Sequence, residues 1–333
     1  GAVTCLSIEP QEGRYVYAGT SAGNILISSN GGKNWIFPTR VSGLFGIHSM
    51  AVVPGEPSVA YAGAFGIGGH IIWKTEDGGQ SWHHVENDQF SRERVKWLLA
   101  DEQDLGLLYA AGDSGIFETR NRGSTWLFHQ DVGCPLANVR DIAISPFGDG
   151  PIYAAVGGAV YSSLGHEAQT WRRGEGLLAV FVRDVALDPR DPSTAYAGVY
   201  LPNKWSVFVT RDAGETWRAT VPPPDIPERY LNDTMALDAA KMNEGTILYA
   251  GTSGCGVFHT TDGGINWETW GRSDCSLPTD TPKNVLDLAI GPVSPDKLYV
   301  AAEGSRVFVT EDRGRTWRSH PIALSTEIVE IEV

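Results

Sequence analysis

Four aspartates could carry out acid–base chemistry, because each lies at or next to the start of a strand-like run: Asp141, Asp184, Asp233 and Asp287. Arg140 and Arg183 directly precede two of them, so side chains of both charges would meet at the same end of the strands. Most glycoside hydrolases use a pair of carboxylic acids. Aspartate at a strand start can equally accept hydrogen bonds from nearby backbone. The sequence leaves both interpretations open, a catalytic or ligand-binding site and a structural role.

A second candidate site combines aromatic and cationic side chains from two loops: Tyr200, Lys204, Trp205, Arg229 and Tyr230. The proline-rich loop 221–230 should lie beside the segment 200–205 of the preceding repeat. Aromatic residues and arginine dominate the energetics of many protein interfaces, and aromatic rings can also stack on sugars. The alternative is that these residues are ordinary decoration of long surface loops.

An eight-residue motif, here called the repeat turn, determines where these residues lie. It reads Ser or Thr, any residue, Asp or Asn, any residue, Gly, any residue, a small polar residue and Trp. Six copies are regular and have these residues at the third position: Asn30, Asp77, Asn121, Asp212, Asp262 and Asp312. These copies end at Trp35, Trp82, Trp126, Trp217, Trp267 and Trp317. Trp171 ends a seventh copy, which lacks the Asp and carries two inserted residues.

The physical roles of the motif predict a β-propeller. Asp or Asn can bond the backbone two residues further on, Gly allows a positive φ, and Trp supplies a large apolar ring between sheets. Successive Trp residues are 44 to 50 positions apart, and the runs between them are short, β-prone and bounded by turn residues. This period is typical of four-stranded antiparallel propeller blades. We therefore expect an all-β chain that forms a single seven-bladed β-propeller.

The predicted blades follow the repeat along the whole chain. Their approximate bounds are 3–40, 47–88, 95–131, 139–175, 182–221, 234–271 and 285–320. The first strands are expected to begin at Cys5, Ser49, Trp97, Asp141, Asp184, Thr234 and Asp287. The C-terminal tail 326–333 also reads as a strand, and it cannot fill the same slot as the strand-like run 3–10. The way in which the ring closes therefore stays open.

The motif resembles the Asp-box, or BNR, repeat, and the resemblance covers nearly the whole chain. Sialidases with this repeat build six blades and use an arginine triad. Xyloglucanase-like glycoside hydrolases set catalytic Asp residues between two seven-bladed rings, and sortilin-type receptors build ten blades. Photosystem II assembly and stability factors are single seven-bladed rings that bind a partner polypeptide outside the cytoplasm, without catalysis. This chain is most similar to that last group in length and blade number.

The resemblance implies a non-enzymatic binding or assembly propeller that recognises a protein partner, or a multisubunit complex, through one face of the ring. The expected contacts are Tyr200, Lys204, Trp205, Arg229, Tyr230, Arg140 and Arg183. The alternative is a glycoside hydrolase or glycan-binding protein, in which Asp141, Asp184, Asp233 and Asp287 would supply the carboxylates. Enzymatic activity stays open, and glycoside hydrolysis is the class expected if the chain is an enzyme.

Charge and composition narrow the choice of partners. The chain has 26 basic and 40 acidic residues and a net charge of −14, which argues against nucleic acid or an anionic membrane surface as the main partner. No apolar run has the roughly 18 residues that a membrane-spanning helix needs. No set of His, Cys and carboxylate residues has the spacing of metal ligands, so we expect neither a metal nor another cofactor.

Two of the four cysteines, Cys255 and Cys275, are predicted to lie on one face of neighbouring segments. We expect a disulfide between them, with two separate thiols as the alternative. A disulfide would suit an extracytoplasmic compartment, that is, a periplasmic, lumenal or secreted protein.

Overall fold

Short β-prone runs pair with their neighbours in sequence throughout the described part of the chain. The computed structural model describes residues 2–36, 44–66, 72–85, 95–101, 104–113, 115–129, 139–147, 150–163, 171–177, 181–202, 204–227, 233–269, 275, 280–303 and 306–321. Within these ranges all regular secondary structure is β-strand, as the sequence predicts. No helix there has the length and apolar character that crossing a bilayer requires.

The described residues form 27 strands in seven antiparallel sheets, called blades 1 to 7 in chain order. Blade 1 contains β1 (Val3–Ile8), β2 (Val16–Thr20) and β3 (Ile25–Ser28). Blade 2 contains β4 (Leu44–Val52), β5 (Ala60–Gly66), β6 (Ile72–Thr75) and β7 (His83–His84). Blade 3 contains β8 (Val95–Ala100), β9 (Leu108–Gly112), β10 (Ile116–Thr119) and β11 (Leu127–His129). Blade 4 contains β12 (Val139–Ile144), β13 (Ile152–Val156), β14 (Ala159–Ser163) and β15 (Arg172–Arg173).

The remaining blades follow the same four-strand order. Blade 5 contains β16 (Phe181–Leu187), β17 (Ala195–Tyr200), β18 (Val207–Thr210) and β19 (Arg218–Ala219). Blade 6 contains β20 (Thr234–Lys241), β21 (Thr246–Thr252), β22 (Gly256–Thr260) and β23 (Glu268–Thr269). Blade 7 contains β24 (Val285–Ile290), β25 (Leu298–Ala302), β26 (Arg306–Thr310) and β27 (Arg318–Pro321).

The blades close into a ring because the first strands of successive blades pack side by side, and β24 of blade 7 packs against β1 of blade 1. We call each contact between adjacent blades a seam. At the closing seam, Leu6 and Ala18 of blade 1 pack with Tyr299 and Val307 of blade 7. The other apolar clusters likewise combine two adjacent blades. The core is thus divided among the seams, so a single blade would leave its apolar faces uncovered.

The structure settles which segment fills the inner slot of blade 1. The strand β1 lies there, and blade 7 takes all four of its strands from one continuous stretch, β24 to β27. The outer slot of blade 1 is marked by Ile36, whose backbone exchanges hydrogen bonds of 3.0 and 2.8 Å with Ile27. The predicted strand 326–333 lies outside the described residues.

The repeat turn of blade 2 illustrates why this motif folds locally. The Thr75 hydroxyl accepts a bond from the Gly79 N–H at 2.8 Å and donates to Asp77 Oδ1 at 2.8 Å. Asp77 accepts from the Ser81 N–H and hydroxyl, at 2.9 and 2.6 Å, and these bonds lower the pKa of Asp77 to about 2. Gly79 has a φ of 86°, and a Cβ there would lie 1.9 Å from Ile27 of blade 1. Only glycine therefore fits both the turn and the seam.

Candidate functional site

Each first strand carries a β-bulge near its start, where one extra residue opposes the second strand. The extra residues at this shared bulge are Thr4, His48, Lys96, Arg140, Arg183, Met235 and Leu286. The strand β4 has a second bulge, with Phe45 as the extra residue. The first strands begin at one face of the ring, here called the mouth face, and the repeat turns lie at the opposite turn face. Bulges often lie beside functional sites because they re-aim a side chain. Here they bring three cationic residues to the mouth face, in blades 3, 4 and 5.

The register of these bulges corrects one predicted equivalence. The residues that follow the bulges are Cys5, Ser49, Trp97, Asp141, Asp184, Ala236 and Asp287. The prediction of Thr234 for blade 6 is wrong, because Thr234 pairs with Thr252 ahead of the bulge. Asp233 consequently precedes the first strand and does not share the position of the other three aspartates.

Those three aspartates bond the first strand of the next blade. Each accepts a backbone N–H across the seam through its Oδ2 atom. The donors are Val185 for Asp141 at 2.5 Å, Leu237 for Asp184 at 2.5 Å and Leu6 for Asp287 at 2.6 Å. We call such contacts seam bonds. Ser7, Ser49 and Asp238 accept equivalent bonds from Val52, Leu98 and Ile290. Among the described residues, six of the seven seams thus satisfy an N–H of an innermost strand that has no neighbouring strand on that side.

Both oxygens of each of these carboxyl groups already accept a backbone N–H. Their Oδ1 atoms accept the N–H of the following residue, at 2.7 Å for Asp141, 3.0 Å for Asp184 and 2.9 Å for Asp287. Asp141 is only 1% exposed. Burial raises the pKa of Asp141, and the nearby Asp184 charge raises the pKa of Asp141 further. Burial also raises the pKa of Asp184. This geometry favours the structural interpretation of the three aspartates.

We expect the ring to lose stability as the pH rises from about 4 to about 8. Burial raises the pKa of Asp287 to about 8, from an ordinary value of 3.8. In this window the folded chain keeps the proton that the unfolded chain releases, so the free energy of unfolding falls by at most about 1.4 kcal/mol per pH unit. Urea unfolding across this pH range measures the free energy of unfolding of the wild type and of Asp287→Asn, whose side chain cannot titrate. The difference between the two free energies should fall as the pH rises. A difference that stays constant across the window would contradict the raised pKa.

A cluster of charged and aromatic side chains lies at the mouth face across blades 4, 5 and 6, and we call it the mouth cluster. The Arg140 guanidinium lies over the Phe181 ring, 4.9 Å from its centre, and the Arg183 guanidinium lies 5.9 Å from the centre of the Tyr200 ring. Phe181 and Tyr200 are direct partners in the ladder of blade 5. Arg183 also pairs with Asp233 through Nη2 and Oδ2 at 2.7 Å. The cluster therefore presents two cations, two aromatic rings and one acid.

The two arginines of the mouth cluster differ in how well they are paired. Burial lowers the pKa of Arg140, and the nearby Arg183 charge lowers it further. Arg140 Nε is buried and makes no hydrogen bond to the described part of the chain. Arg183 shares its charge with Asp233. An anionic group placed beside Arg140 would be attracted by the guanidinium charge, since guanidinium groups bind carboxylates in a fixed fork geometry.

The structure describes three of the five residues of the second predicted site. Tyr200 joins the mouth cluster, and Lys204 is exposed nearby in sequence. Trp205 is expected at the surface from the sequence, but its side chain is buried and only 7% exposed. Its ring packs edge-on against the Trp267 ring, with centres 5.0 Å apart, and its Nε1 donates a hydrogen bond to the Thr220 hydroxyl. Arg229 and Tyr230 lie outside the described residues. Phe181, which the sequence prediction missed, is 38% exposed at the mouth face.

Two further predictions concern metal ions and cysteines. In the described ranges no group of three or more His, Cys, Asp or Glu side chains is arranged to hold a metal ion. Cys255 and Cys275 form a disulfide. Cys255 lies in the turn between β21 and β22, and both cysteines contact the apolar cluster between blades 5 and 6. The disulfide therefore covers the mouth-face end of that seam.

Known proteins with related sequences are hydrolases. No protein-family model matches the chain. Xyloglucanase Xgh74A of Acetivibrio thermocellus is 30% identical over 172 residues, which are 42% of this chain and 20% of that protein. The oligoxyloglucan-reducing end-specific xyloglucanase of Emericella nidulans is 26% identical over 234 residues, or 63% of this chain and 28% of that protein. The chain thus spans between a fifth and a third of the length of these relatives.

Solved structures with the same fold belong to two groups. An ancestral GH74 enzyme superposes with a TM-score of 0.74 at 15% identity, over 96% of this chain and 46% of that one. YCF48 bound to D1 peptide superposes with a TM-score of 0.67 at 16% identity, over 93% of both chains. YCF48 from Cyanidioschyzon merolae gives 0.67 at 12% identity, over 95% and 96%. At these identities the likeness is one of fold, and the chain is a seven-bladed β-propeller that resembles both groups.

Proposed function

We propose that the chain is a non-enzymatic binding propeller that recognises a protein partner through the mouth cluster. The observation that carries this proposal is Arg140, a half-buried cation whose Nε makes no hydrogen bond to the described residues and whose guanidinium is stacked on the exposed ring of Phe181. Arginine and aromatic side chains that are held rigidly in this way are typical of binding hot spots. The ligand feature that fits is an acidic side chain or terminal carboxylate of an extended polypeptide.

Two cations near the turn face support this choice of surface by contrast, because they already join adjacent blades. Arg122 of blade 3 pairs with Glu56 of blade 2, with an Nη2–Oε1 distance of 2.6 Å. Lys297 of blade 7 donates to the Gly31 carbonyl of blade 1 at 3.1 Å. Such residues cannot leave their partners without weakening a seam. Among the described residues, Arg140 makes no ion pair or side-chain hydrogen bond that joins two blades, so a ligand can bind it without weakening a seam.

The comparison with YCF48 supports a polypeptide ligand, since that protein was solved with a D1 peptide and matches this chain over nearly its whole length. We further propose an assembly role in a larger complex outside the cytoplasm, as for the Asp-box assembly factors that the sequence resembles. The Cys255–Cys275 disulfide supports this location, because structural disulfides persist mainly in oxidising compartments.

The test uses a displayed library of random peptides, selected on the folded wild-type chain. We expect enrichment of acidic peptides, and Arg140→Ala/Arg183→Ala should weaken their binding by at least about tenfold, as loss of a charge-assisted hydrogen bond implies. The matched control is Arg172→Ala/Arg173→Ala, which removes two exposed arginines of β15 with the same change of net charge. Equal binding by the wild type and the mouth-cluster variant would refute the proposal.

The second candidate function is hydrolysis or binding of a glycan. The sequence identity with the two xyloglucanases favours it. The carboxyl groups of Asp141, Asp184 and Asp287 are engaged by backbone, and that of Asp233 pairs with Arg183, which weighs against hydrolysis by this ring alone. Incubation with xyloglucan oligosaccharides separates the two candidates. Release of shorter products by the wild type, abolished in a folded Asp233→Asn variant, would favour the hydrolase.

A further inference from the structure

The Cys255–Cys275 disulfide is connected to the mouth cluster through one hairpin. Cys255 is buried in the turn between β21 and β22, and Cys275 lies in the segment that leads from blade 6 to blade 7. In this hairpin the Ser253 N–H donates to the carbonyl oxygen of Asp233 at 3.0 Å. The carboxylate of Asp233 pairs in turn with Arg183 at 2.7 Å. Two residues, Gly254 and Ser253, and one backbone hydrogen bond thus separate the disulfide-linked Cys255 from the acid that holds Arg183.

The same hairpin is held from the blade 7 side by Lys283, eight residues after Cys275 in the sequence. The N–H groups of Gly254 and Gly256 both donate to the Lys283 carbonyl oxygen, at 3.1 and 3.0 Å. Cys275 itself has a φ of 56°, a left-handed conformation that costs free energy for a residue other than glycine. The disulfide therefore ties Cys275 to the hairpin, and opening it would let Cys275 relax.

We infer that the Cys255–Cys275 disulfide is a redox-dependent positioning element for Arg183. With the disulfide closed, the hairpin holds Asp233 against Arg183. A dithiol reductant would pass two electrons and two protons to the two sulfurs, becoming a disulfide itself and leaving two cysteine thiols. The hairpin then loses its covalent brace, and Arg183 is released from Asp233 more often. The consequence for partner binding, stronger attraction of an acidic segment by the reduced form, rests on the proposed function; the positioning of Arg183 does not.

The test measures the reactivity of Arg183 towards phenylglyoxal, which modifies accessible guanidinium groups. The full chain is treated with and without dithiothreitol, thiol titration verifies that two more thiols form, and mass spectrometry follows each arginine. We expect Arg183 to react about two- to fivefold faster after reduction, the range allowed by loss of a partly exposed ion pair. Arg122, which pairs with Glu56 at the turn face, serves as the internal reference and should not change.

Two variants sharpen this test. Asp233→Asn removes the acid while the disulfide stays intact, so Arg183 should react fast in both redox states. Cys255→Ser/Cys275→Ser should match the reduced wild type, and if it does not fold, the comparison of oxidised and reduced wild type stands alone. Equal Arg183 rates before and after complete reduction, or equal acceleration of Arg122, would overturn the inference. Because no partner is present, failure of the peptide-binding proposal leaves this result unaffected.

Discussion

The Asp287→Ala variant should unfold at a markedly lower urea concentration than the wild type, with a loss of about 3 kcal/mol in the free energy of unfolding. The substitution leaves the N–H groups of Leu6 and Leu288 without the acceptor that Asp287 supplies at 2.6 and 2.9 Å. An unsatisfied buried donor costs about 1–3 kcal/mol. The effect is large because the bond to Leu6 joins the first and last blades, which no short connecting segment holds together.

The matched control is Asp184→Ala, which removes the same pair of bonds at the seam between blades 5 and 6. Those blades are consecutive in sequence, so residues 220–233 join them covalently in addition to the seam bond. Hydrogen exchange distinguishes the variants: the Leu6 amide should exchange faster in Asp287→Ala and stay protected in Asp184→Ala. If both variants lose equal stability and the Leu6 amide exchanges alike in both, the closing seam has no special dependence on Asp287.

The fold could be read from the sequence because its signals are local. The spacing of the repeat turns predicts seven blades, and the turn itself depends on residues within a span of eight, as Thr75, Asp77 and Gly79 illustrate. Closure of the ring could not be predicted, since two segments competed for the inner slot of blade 1. That choice depends on apolar contacts between residues near opposite ends of the chain, such as Leu6 and Tyr299.

The candidate site was harder to predict because its geometry depends on register and on contacts across seams. The sequence places Asp141 and Asp184 correctly at strand starts, but it cannot show that each carboxyl bonds the next blade. A bulge adds one residue to a strand and leaves no clear mark in the sequence. The sequence therefore predicts Thr234 at the position that Ala236 occupies. Trp205 looked like a loop aromatic, whereas its apolar ring is covered by neighbouring blade residues.

One sequence pattern could have predicted the aromatic pair of the mouth cluster. Phe181 begins the first strand of blade 5 and lies directly opposite Tyr200 at the end of the second strand. A residue at the start of the first strand therefore always meets the end of the second, so aromatic residues at both places predict a pair at the mouth face. Combined with cationic bulge residues of two adjacent blades, this pattern would have indicated the Arg140 and Arg183 stacks.

The Trp217→Ala variant should lose about 3–5 kcal/mol in the free energy of unfolding, the range for removing a buried large aromatic side chain. Trp217 is only 2% exposed and meets Tyr153 of blade 4 edge-on, with ring centres 6.3 Å apart. Its ring packs in the seam between blades 4 and 5, so alanine leaves a cavity that two hydrogen-bonded sheets cannot collapse to fill. Urea unfolding followed by circular dichroism measures the loss.

Trp35→Ala is the matched control, because it removes the same ring from the same position of a repeat turn where the side chain is only partly buried. If burial in the seam determines the effect, Trp35→Ala should cost clearly less than Trp217→Ala. Equal losses would mean that the tryptophan stabilises the repeat turn itself, since Trp35 and Trp217 occupy the same position of their turns. In that case Trp217→Phe, which keeps an apolar ring in the seam, would be as unstable as Trp217→Ala, whereas seam packing predicts that phenylalanine retains part of the stability.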